Sequence, residues 1–519
     1  DDATAFESYF GACLMNGFAM VDQSYTAAIA QGMVDMKFQK LFVRCGSVFE
    51  RQQNGDAAAT FNGEALPTAQ SGMFPRHLAQ KVKKMGAVVF DQTMFVDYLT
   101  DEEGSCSGGV ALDLRQGDLH VFRAKAVIMA MGYYCWLAGW YPHPSSICGP
   151  ESTGDANAIL MNHGIGVRNF ELQVADSAAW FPTVGRYTMG MSLEPPNCVD
   201  AVNSEGEHYQ KDFYENTPNV FTSINVSILN AGEYFNGRGH EHRGAWLEYP
   251  GDDKMERFYR RTREQWKSHF GYELPERIET TPEFWSSHAI PKLDTTMQTQ
   301  VPGLYYAASA HVDGGIKESL AAGHIAGVNA ARRAASVAQA GVIKEDVDRI
   351  LDHIYDLLER EPADGISAAK VMRSIQIAFG EGLGIMRDEA GMTAALEEFK
   401  RIRAEDLPRM RVGNKTRSFN LGWRHAIEAE YMLDVAIAVA MASLERKETR
   451  AFPVRTDYLE TDVENYNKQF IVTKEGDEFA LSEEATEMSI MDAQTYWASF
   501  PRPLNLNSYE EYRKSKGGQ

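Results

Sequence analysis

The sequence predicts an α/β protein whose sheet domain is interrupted by an irregular insertion and followed by a helical domain. Three observations carry that prediction. Ala126-Val-Ile-Met-Ala-Met-Gly132 is apolar without alternation, the pattern of a strand buried on both faces of a parallel sheet. Gly303-Leu-Tyr-Tyr-Ala-Ala308 has the same character and leads across a Gly-rich turn into a small-residue helix, from about Ile316 to Ala340. Between the two lies a long stretch rich in Gly, Pro, His and aromatics, and after them the pattern is helical to about Leu444.

The 519 residues are enough for three or four domains or one large composite fold. With 44% apolar and 24% charged residues the chain can bury a large core and is not a disordered polymer. Its 51 Lys and Arg against 72 Asp and Glu leave a net charge of −21, which argues against nucleic-acid binding and against docking on anionic membranes. Six cysteines without a Cys-x-x-Cys pair argue against zinc, a self-contained iron–sulfur cluster or a disulfide scaffold, and fit reduced thiols in a cytoplasmic protein. No apolar run approaches the ~20 residues of a membrane span, and Tyr431 to Leu444, which carries Asp434, reads as a buried helix. The chain opens at Asp1-Asp2 directly into helix-like sequence (Ala3 to Met33), as if a further segment preceded it.

In chain order, residues 1–173 form the first sheet portion: helices, then the strand-like runs Gly86 to Asp91 and Met94 to Leu99. A hairpin follows, Gly109 to Leu114 and Leu119 to Arg123 around Gln116-Gly117-Asp118, and then the apolar strand ending at Gly132. Residues 174–287 form the insertion, with one helix from Asp252 to Phe270. Residues 288–340 resume the sheet domain, 341–450 are helical, and 451–519 are a polar tail with scattered strand signals.

Several segments could carry chemistry, and each has a structural alternative. Ala130-Met-Gly132 ends a strand with small residues that let a cofactor approach, or simply meets a turn. Ser152-Thr153-Gly154-Asp155 is a helix N-cap, and a helix start can hold a phosphate or a flavin acceptor. Gly314-Gly315-Ile-Lys-Glu318-Ser319-Leu320 joins a strand to a helix whose dipole could stabilise reduced flavin, or is a tight turn. Gly237-Arg238-Gly-His240-Glu-His242-Arg243-Gly244 could clamp an anion and supply protons, or be a solvated loop. Gly380-Glu-Gly-Leu-Gly384 lacks the strand that a dinucleotide loop requires and reads as a helix irregularity. Arg446-Lys-Glu-Thr-Arg450 places cations at a helix C-terminus.

Taken in order, these segments resemble the flavoprotein subunits of succinate dehydrogenase, fumarate reductase and adenylylsulfate reductase. The resemblance rests on Thr153-Gly-Asp155 with His163-Gly164, on Val202-Asn-Ser-Glu-Gly-Glu-His-Tyr209, and on Val301 to Ala308 followed by Ser319-Leu320, Gly323 and Gly327. Arg446 to Arg450, continuing to Arg455-Thr-Asp-Tyr458 and Asp462 to Asn465, is closest to the adenylylsulfate reductase alpha subunits. It covers most of residues 1 to about 475.

The resemblance implies a two-dinucleotide-binding-type sheet domain, an α+β capping domain over residues 174–287, and FAD as cofactor. It places Ala130, Gly132, Thr153, Gly154, Asp155, Glu318, Ser319 and Leu320 at FAD. His288 takes the position of a substrate-side histidine, with Arg238, His240, His242 and Arg243 as candidates for clamping and proton transfer. It further implies a small substrate under the capping domain and electron exchange with a separate iron–sulfur subunit; no metal ligands are expected in this chain. Two departures stand out. The family begins with a Gly-rich pyrophosphate unit and this sequence starts past it, so either the chain is truncated, the unit lies on another polypeptide, or FAD binding is compromised; a non-catalytic or truncated subunit with a docking role is the alternative reading. The two substrate arginines of fumarate reductases align with Gly314 and Pro195, which argues against fumarate or succinate.

Overall fold

The computed structural model describes residues 2–37, 74–138, 149–181, 187–188, 200–210, 213, 223–241, 244–248, 267–268, 271–273, 277–308, 315–450, 452–500, 504 and 506–515. The chain divides into two compact units. One comprises Asp1–Gly32, Gln92–Ala175 and Glu283–Gln519; the other comprises Met33–Asp91 and Asp176–Pro282.

In the first unit, Val127–Met129 and Leu304–Tyr306 pair in parallel although 175 residues or more separate them, with Val127 facing Leu304. The expected second strand is buried throughout. The first is only three residues long and is not buried on both faces, because Ile128 is 39% exposed. Val127–Met129 has Leu304–Tyr306 as its ladder partner among the described residues, so its apolar run is only partly covered. A separate antiparallel sheet joins Thr93–Thr100, Cys106–Asp113 and Asp118–Arg123, with Gly117 at φ 76° closing the hairpin. Gly86 to Asp91, the other expected strand, forms none: Val88 is 78% and Phe90 53% exposed. An apolar run becomes a strand only where a neighbouring ladder takes its backbone groups, and periodicity does not report the neighbour.

The tail is part of this unit rather than an appendage. Lys468–Glu475 and Glu478–Ala485 form a hairpin, and Lys468–Glu475 pairs antiparallel with Val167–Arg168, which in turn pairs with Ile290–Pro291. Beyond it, Tyr496 of helix Ala493–Ser499 buries its ring beside Leu14 of helix Asp2–Gly17, and its hydroxyl accepts from the amide of Ala19 at 3.0 Å.

The helical segment follows its sequence signals. Ser367, Asp388 and Asn420 cap the helices Ala368–Gly382, Glu389–Arg401 and Leu421–Glu445 by accepting from Lys370, Gly391 and Trp423 amides. Leu421–Glu445 is buried on nearly every side. Its Asp434 is therefore paired, with Arg403 and with Lys474 Nζ at 2.6 Å, and Lys474 also reaches Asn162 Oδ1 at 2.7 Å. Gly382 sits where Ala368–Gly382 meets Glu389–Arg401, and a Cβ there would stand 2.3 Å from Gly391 O. Gly382 thus serves close helix approach.

Arg446 to Arg450 does more than complement a helix dipole. Arg446 contacts Glu171 and Glu448 at 2.8 Å each and donates to the carbonyls of Tyr466 and Lys468. Arg450 pairs with Glu448 at 2.9 Å and donates to Phe18 O and Asp462 O. Arg455 is bidentate to Asp457 at 2.8 Å and donates to the carbonyls of Ser443 and Arg446.

A five-stranded sheet, most of it in the second unit, has the order Tyr187–Thr188, Gln173–Phe181, Arg277–Ser287, Ala245–Glu248, Asp200–Val202. Helix Ser223–Phe235 precedes the His-bearing loop. Most of the expected helix Asp252 to Phe270 lies outside the described residues.

Replacing Gly382 by Ala should destabilise the protein by about 1–3 kcal/mol, because backbone and Ala395 must move to admit the methyl. Gly323→Ala, on an open helix face, should be neutral or stabilising by up to about 1 kcal/mol. Urea unfolding of both variants measures the contrast.

Candidate functional site

Parallel strands place ligands beyond their carboxyl ends, where side chains are small and backbone groups are turned outward. Here the two strands deliver Ala130–Gly132 and Ala307–Ala308 side by side, with Ala307 N donating to Met129 O at 2.8 Å. Gly132 has φ 81°, and a Cβ on it would meet nothing within 4 Å. Ala130 is exposed. Among the described residues, the space at Ala130 and Gly132 is therefore open. Tyr25 closes one side, its hydroxyl donating to Ala308 O at 2.9 Å.

Two helices begin at this end. Asp155–Asn162 starts after Gly154, whose φ of 86° and tight surroundings admit only glycine: a Cβ would lie 2.8 Å from Tyr134 Cβ and 3.0 Å from Val435. Thr153 Oγ1 donates to Asp155 Oδ1 at 2.6 Å. The helix is anchored at Asn157, which accepts from the Tyr306 hydroxyl at 3.2 Å and donates to Ala289 O at 3.0 Å. Near its far end His163 Nε2 lies 2.7 Å from Asp97 Oδ1.

Ile316–Ser336 begins after Gly315. Its Glu318 reaches back to accept from Gly315 N at 2.7 Å, and Ser319 Oγ donates to Gly315 O at 3.2 Å. Glu318 is thus a cap as well as a candidate cofactor neighbour, and Leu320 is half-buried one residue beyond Ser319. Gly314 lies outside the described residues.

The substrate-side candidates are held internally. His288 is fully buried; its amide donates to Leu172 O, and its Nε2 lies 3.1 Å from Ser286 Oγ. In the second unit, Arg238 makes a bidentate pair with buried Glu233 at 3.0 Å, and Glu233 also accepts from Asn203 at 2.7 Å. His240 Nε2 lies 3.1 Å from Val202 O. His242 and Arg243 lie outside the described residues. The resemblance stretch Val202–Tyr209 therefore organises this loop from within.

Sequence reasoning missed Tyr306, Asn157, Arg424 and Glu428. Glu428, on Leu421–Glu445, is buried with Oε1 accepting from Arg424 Nε at 2.6 Å. Burial, opposed by Thr153 and Arg424, pushes the Asp155 carboxyl up to about 6. Burial likewise carries Glu428 to about 7, against the pull of Arg424 and with a push from Asp155. Arg424 and Glu428 stand four apart on a helix, which was legible as a pair; their nearness to Asp155 was not.

A small-residue strand end with open space, flanked by two helix starts, fits a flat ring system with a polar edge. No group of three or more His, Cys, Asp or Glu suited to a metal ion occurs among the described residues, nor does any described helix have the length and apolarity to cross a membrane.

Gly154→Ala should cost about 1–3 kcal/mol, since it adds a clash to an unfavourable φ. Gly132→Ala should cost about 1–2 kcal/mol, the backbone term alone. Thermal unfolding of the two variants in parallel reads the difference.

Residues 45–214 match the family described as FAD binding domain, and residues 372–501 match that described as fumarate reductase flavoprotein C-term. The fumarate reductase flavoprotein subunit of Haemophilus influenzae is 26% identical over 422 residues, covering 73% of this chain and 66% of the relative. The 8-methylmenaquinol:fumarate reductase flavoprotein subunit of Wolinella succinogenes is 24% identical over 481 residues, covering 82% and 72%. The chain thus spans about two thirds of the length of the first of these relatives. Among solved structures, an E. coli quinol fumarate reductase FrdA variant superposes with a TM-score of 0.82 at 20% identity, over 95% of this chain and 88% of that one. Adenylylsulfate reductase from Archaeoglobus fulgidus gives 0.74 at 17%, over 92% and 85%. The fold is that of these flavoprotein subunits, and residues 45–214 and 372–501 belong to the FAD binding domain and fumarate reductase flavoprotein C-term families.

Proposed function

We propose that this chain is the FAD-carrying part of an oxidoreductase that acts on a small oxidised or unsaturated molecule other than fumarate or succinate. The observation that carries the reading is the open, small-residue end of the parallel strand pair between two helix starts. When bound, FAD supplies the exchange of a hydride or electrons. Ala130 and Gly132 keep the strand end clear for it. Thr153, Gly154 and Asp155 start one helix toward the cofactor, and Glu318, Ser319 and Leu320 start the other, both presenting the positive end of a helix dipole to a polar ring edge.

Substrate contacts are assigned to the insertion, residues 174–287, and to His288. Arg238, oriented by its pair with Glu233, and His240, His242 and Arg243 are the loop's candidates for anion contact and proton transfer. Gly314 and Pro195, where fumarate reductases by resemblance carry arginines, remove the clamp and the acid that a small dicarboxylate needs. Electrons pass to or from a separate iron–sulfur partner, because the six cysteines contain no cluster-binding spacing. The protein is assigned to the cytoplasm, a reading supported by six cysteines without a paired spacing.

A second reading, a non-catalytic docking component of a larger complex, is favoured by one observation: His288 and Arg238 both spend hydrogen bonds on protein neighbours. Purified protein should carry close to one flavin per chain by visible spectrum and acid release, and a panel of small oxidants should include one that reoxidises the reduced flavin. Protein without flavin contradicts the main reading; bound flavin that no member of the panel reoxidises supports the second.

A further inference from the structure

The arginines at the end of Leu421–Glu445 enclose a space of their own. Met386–Arg387 pairs in parallel with Val454–Arg455, which sets Arg387 directly opposite Arg455. Like charges so placed repel, and each calls for a counterion. Arg455 has one, the bidentate Asp457 at 2.8 Å. Arg387 is 3% exposed and has none among the described residues. Its N–H groups go to the carbonyls of Gly384, Leu383 and, at 3.5 Å, Glu171, to Ser443 Oγ at 2.9 Å and to the Gln173 side chain, all of them neutral acceptors. Burial accordingly pulls its guanidinium down to about 9. Beside it lies a cavity of about 20 Å³, walled by Arg387, Arg446, Arg450 and Arg455 and by Glu171 and Glu448. One water needs roughly 10–15 Å³, so the cavity takes a species of a few heavy atoms.

Two atoms of the wall residues lack partners. The Arg450 side chain is fully excluded from solvent, and its Nε makes no hydrogen bond although Glu448 Oε1 lies 2.9 Å away. Glu171 Oε2 is buried without a donor, its Oε1 being the oxygen that takes Arg446. The ion pairs of the four guanidiniums engage three carboxylates, Glu171, Glu448 and Asp457, which leaves one positive charge over. The cavity therefore lacks a negative charge, an acceptor for Arg450 and a donor for Glu171. Water supplies the last two but no charge, and chloride or nitrate supplies charge and acceptor but no donor. We propose that the cavity binds a small monovalent oxyanion that keeps one O–H, of which hydrogencarbonate is the simplest. Its charge compensates Arg387, one of its oxygens accepts from Arg450 Nε, and its O–H donates to Glu171 Oε2. The ion sits where Arg446, Arg450 and Arg455 join the tail to the end of Leu421–Glu445, so it binds the folded chain and stabilises it.

The test is equilibrium dialysis of isotope-labelled hydrogencarbonate against the full chain, at constant pH and ionic strength. The wild type should bind about one ion per chain, and an excess of nitrate or chloride should fail to displace it. Arg387→Gln should weaken binding by about tenfold or more, since the uncompensated charge is gone. Glu171→Gln should accept nitrate and chloride as competitors, because its amide donates where the carboxylate could only accept. Thermal unfolding gives an independent reading: hydrogencarbonate should raise the midpoint of the wild type and leave that of Arg387→Gln unmoved. Absence of saturable binding overturns the proposal, as does unaltered binding in Arg387→Gln. Displacement by nitrate or chloride in the wild type also overturns it, because the cavity then reads charge alone, and that arm requires no variant to fold. No arm involves flavin, so the outcome is separate from that of the proposed function.

Discussion

The structure depends on a buried carboxylate, Glu448, held between Arg446 and Arg450. The side chains of Glu448 and Arg450 are fully excluded from solvent, and that of Arg446 is 5% exposed. Charges so placed do not stabilise by attraction alone, because their desolvation consumes much of the gain. What they do is fix geometry. Each guanidinium also donates to main-chain carbonyls, which come from Phe18, Asp462, Tyr466 and Lys468. The end of the first helix, the tail and the start of the strand Lys468–Glu475 are thereby tied to the end of Leu421–Glu445.

That helix transmits the constraint to the cofactor side. Val435 lies against Gly154, the Tyr431 hydroxyl donates to Val96 O at 2.6 Å, and Asp434 holds Lys474, which holds Asn162. Glu428, on the same helix as Val435, is pushed up in part by the charge of Asp155. The loop that the proposed function sets against FAD is shaped by a helix whose own position is set by Glu448 and its arginines.

The legible part of this was local. The hairpin Cys106–Arg123, the glycine at its turn, the capping residues and the small-residue helix Ile316–Ser336 all announce themselves within ten or twenty residues. The order of motifs carried the family. What the sequence could not disclose was partnership over long separations. Gly86 to Asp91 has strand composition but no ladder, and Ile128 has core composition but an open face. Arg446 and Arg450 looked like dipole partners because helix ends are visible locally, whereas Glu171, 275 residues away from Arg446, is not. His288 stood where a substrate group was expected, and the fold buries it beside Ser286.

The central claim is that the Glu448 network makes the tail and the cofactor-side helix one cooperative element. Native-state hydrogen exchange on the wild type and Glu448→Ala tests it most directly. The account predicts that amides of Lys468–Glu475 and of Asp155–Asn162 open with the same free energy in the wild type. Both should fall together, by about 3–5 kcal/mol, when the arginines lose their carboxylate. If the tail strand loosens while Asp155–Asn162 keeps its protection, the network holds the tail alone and the account is contradicted.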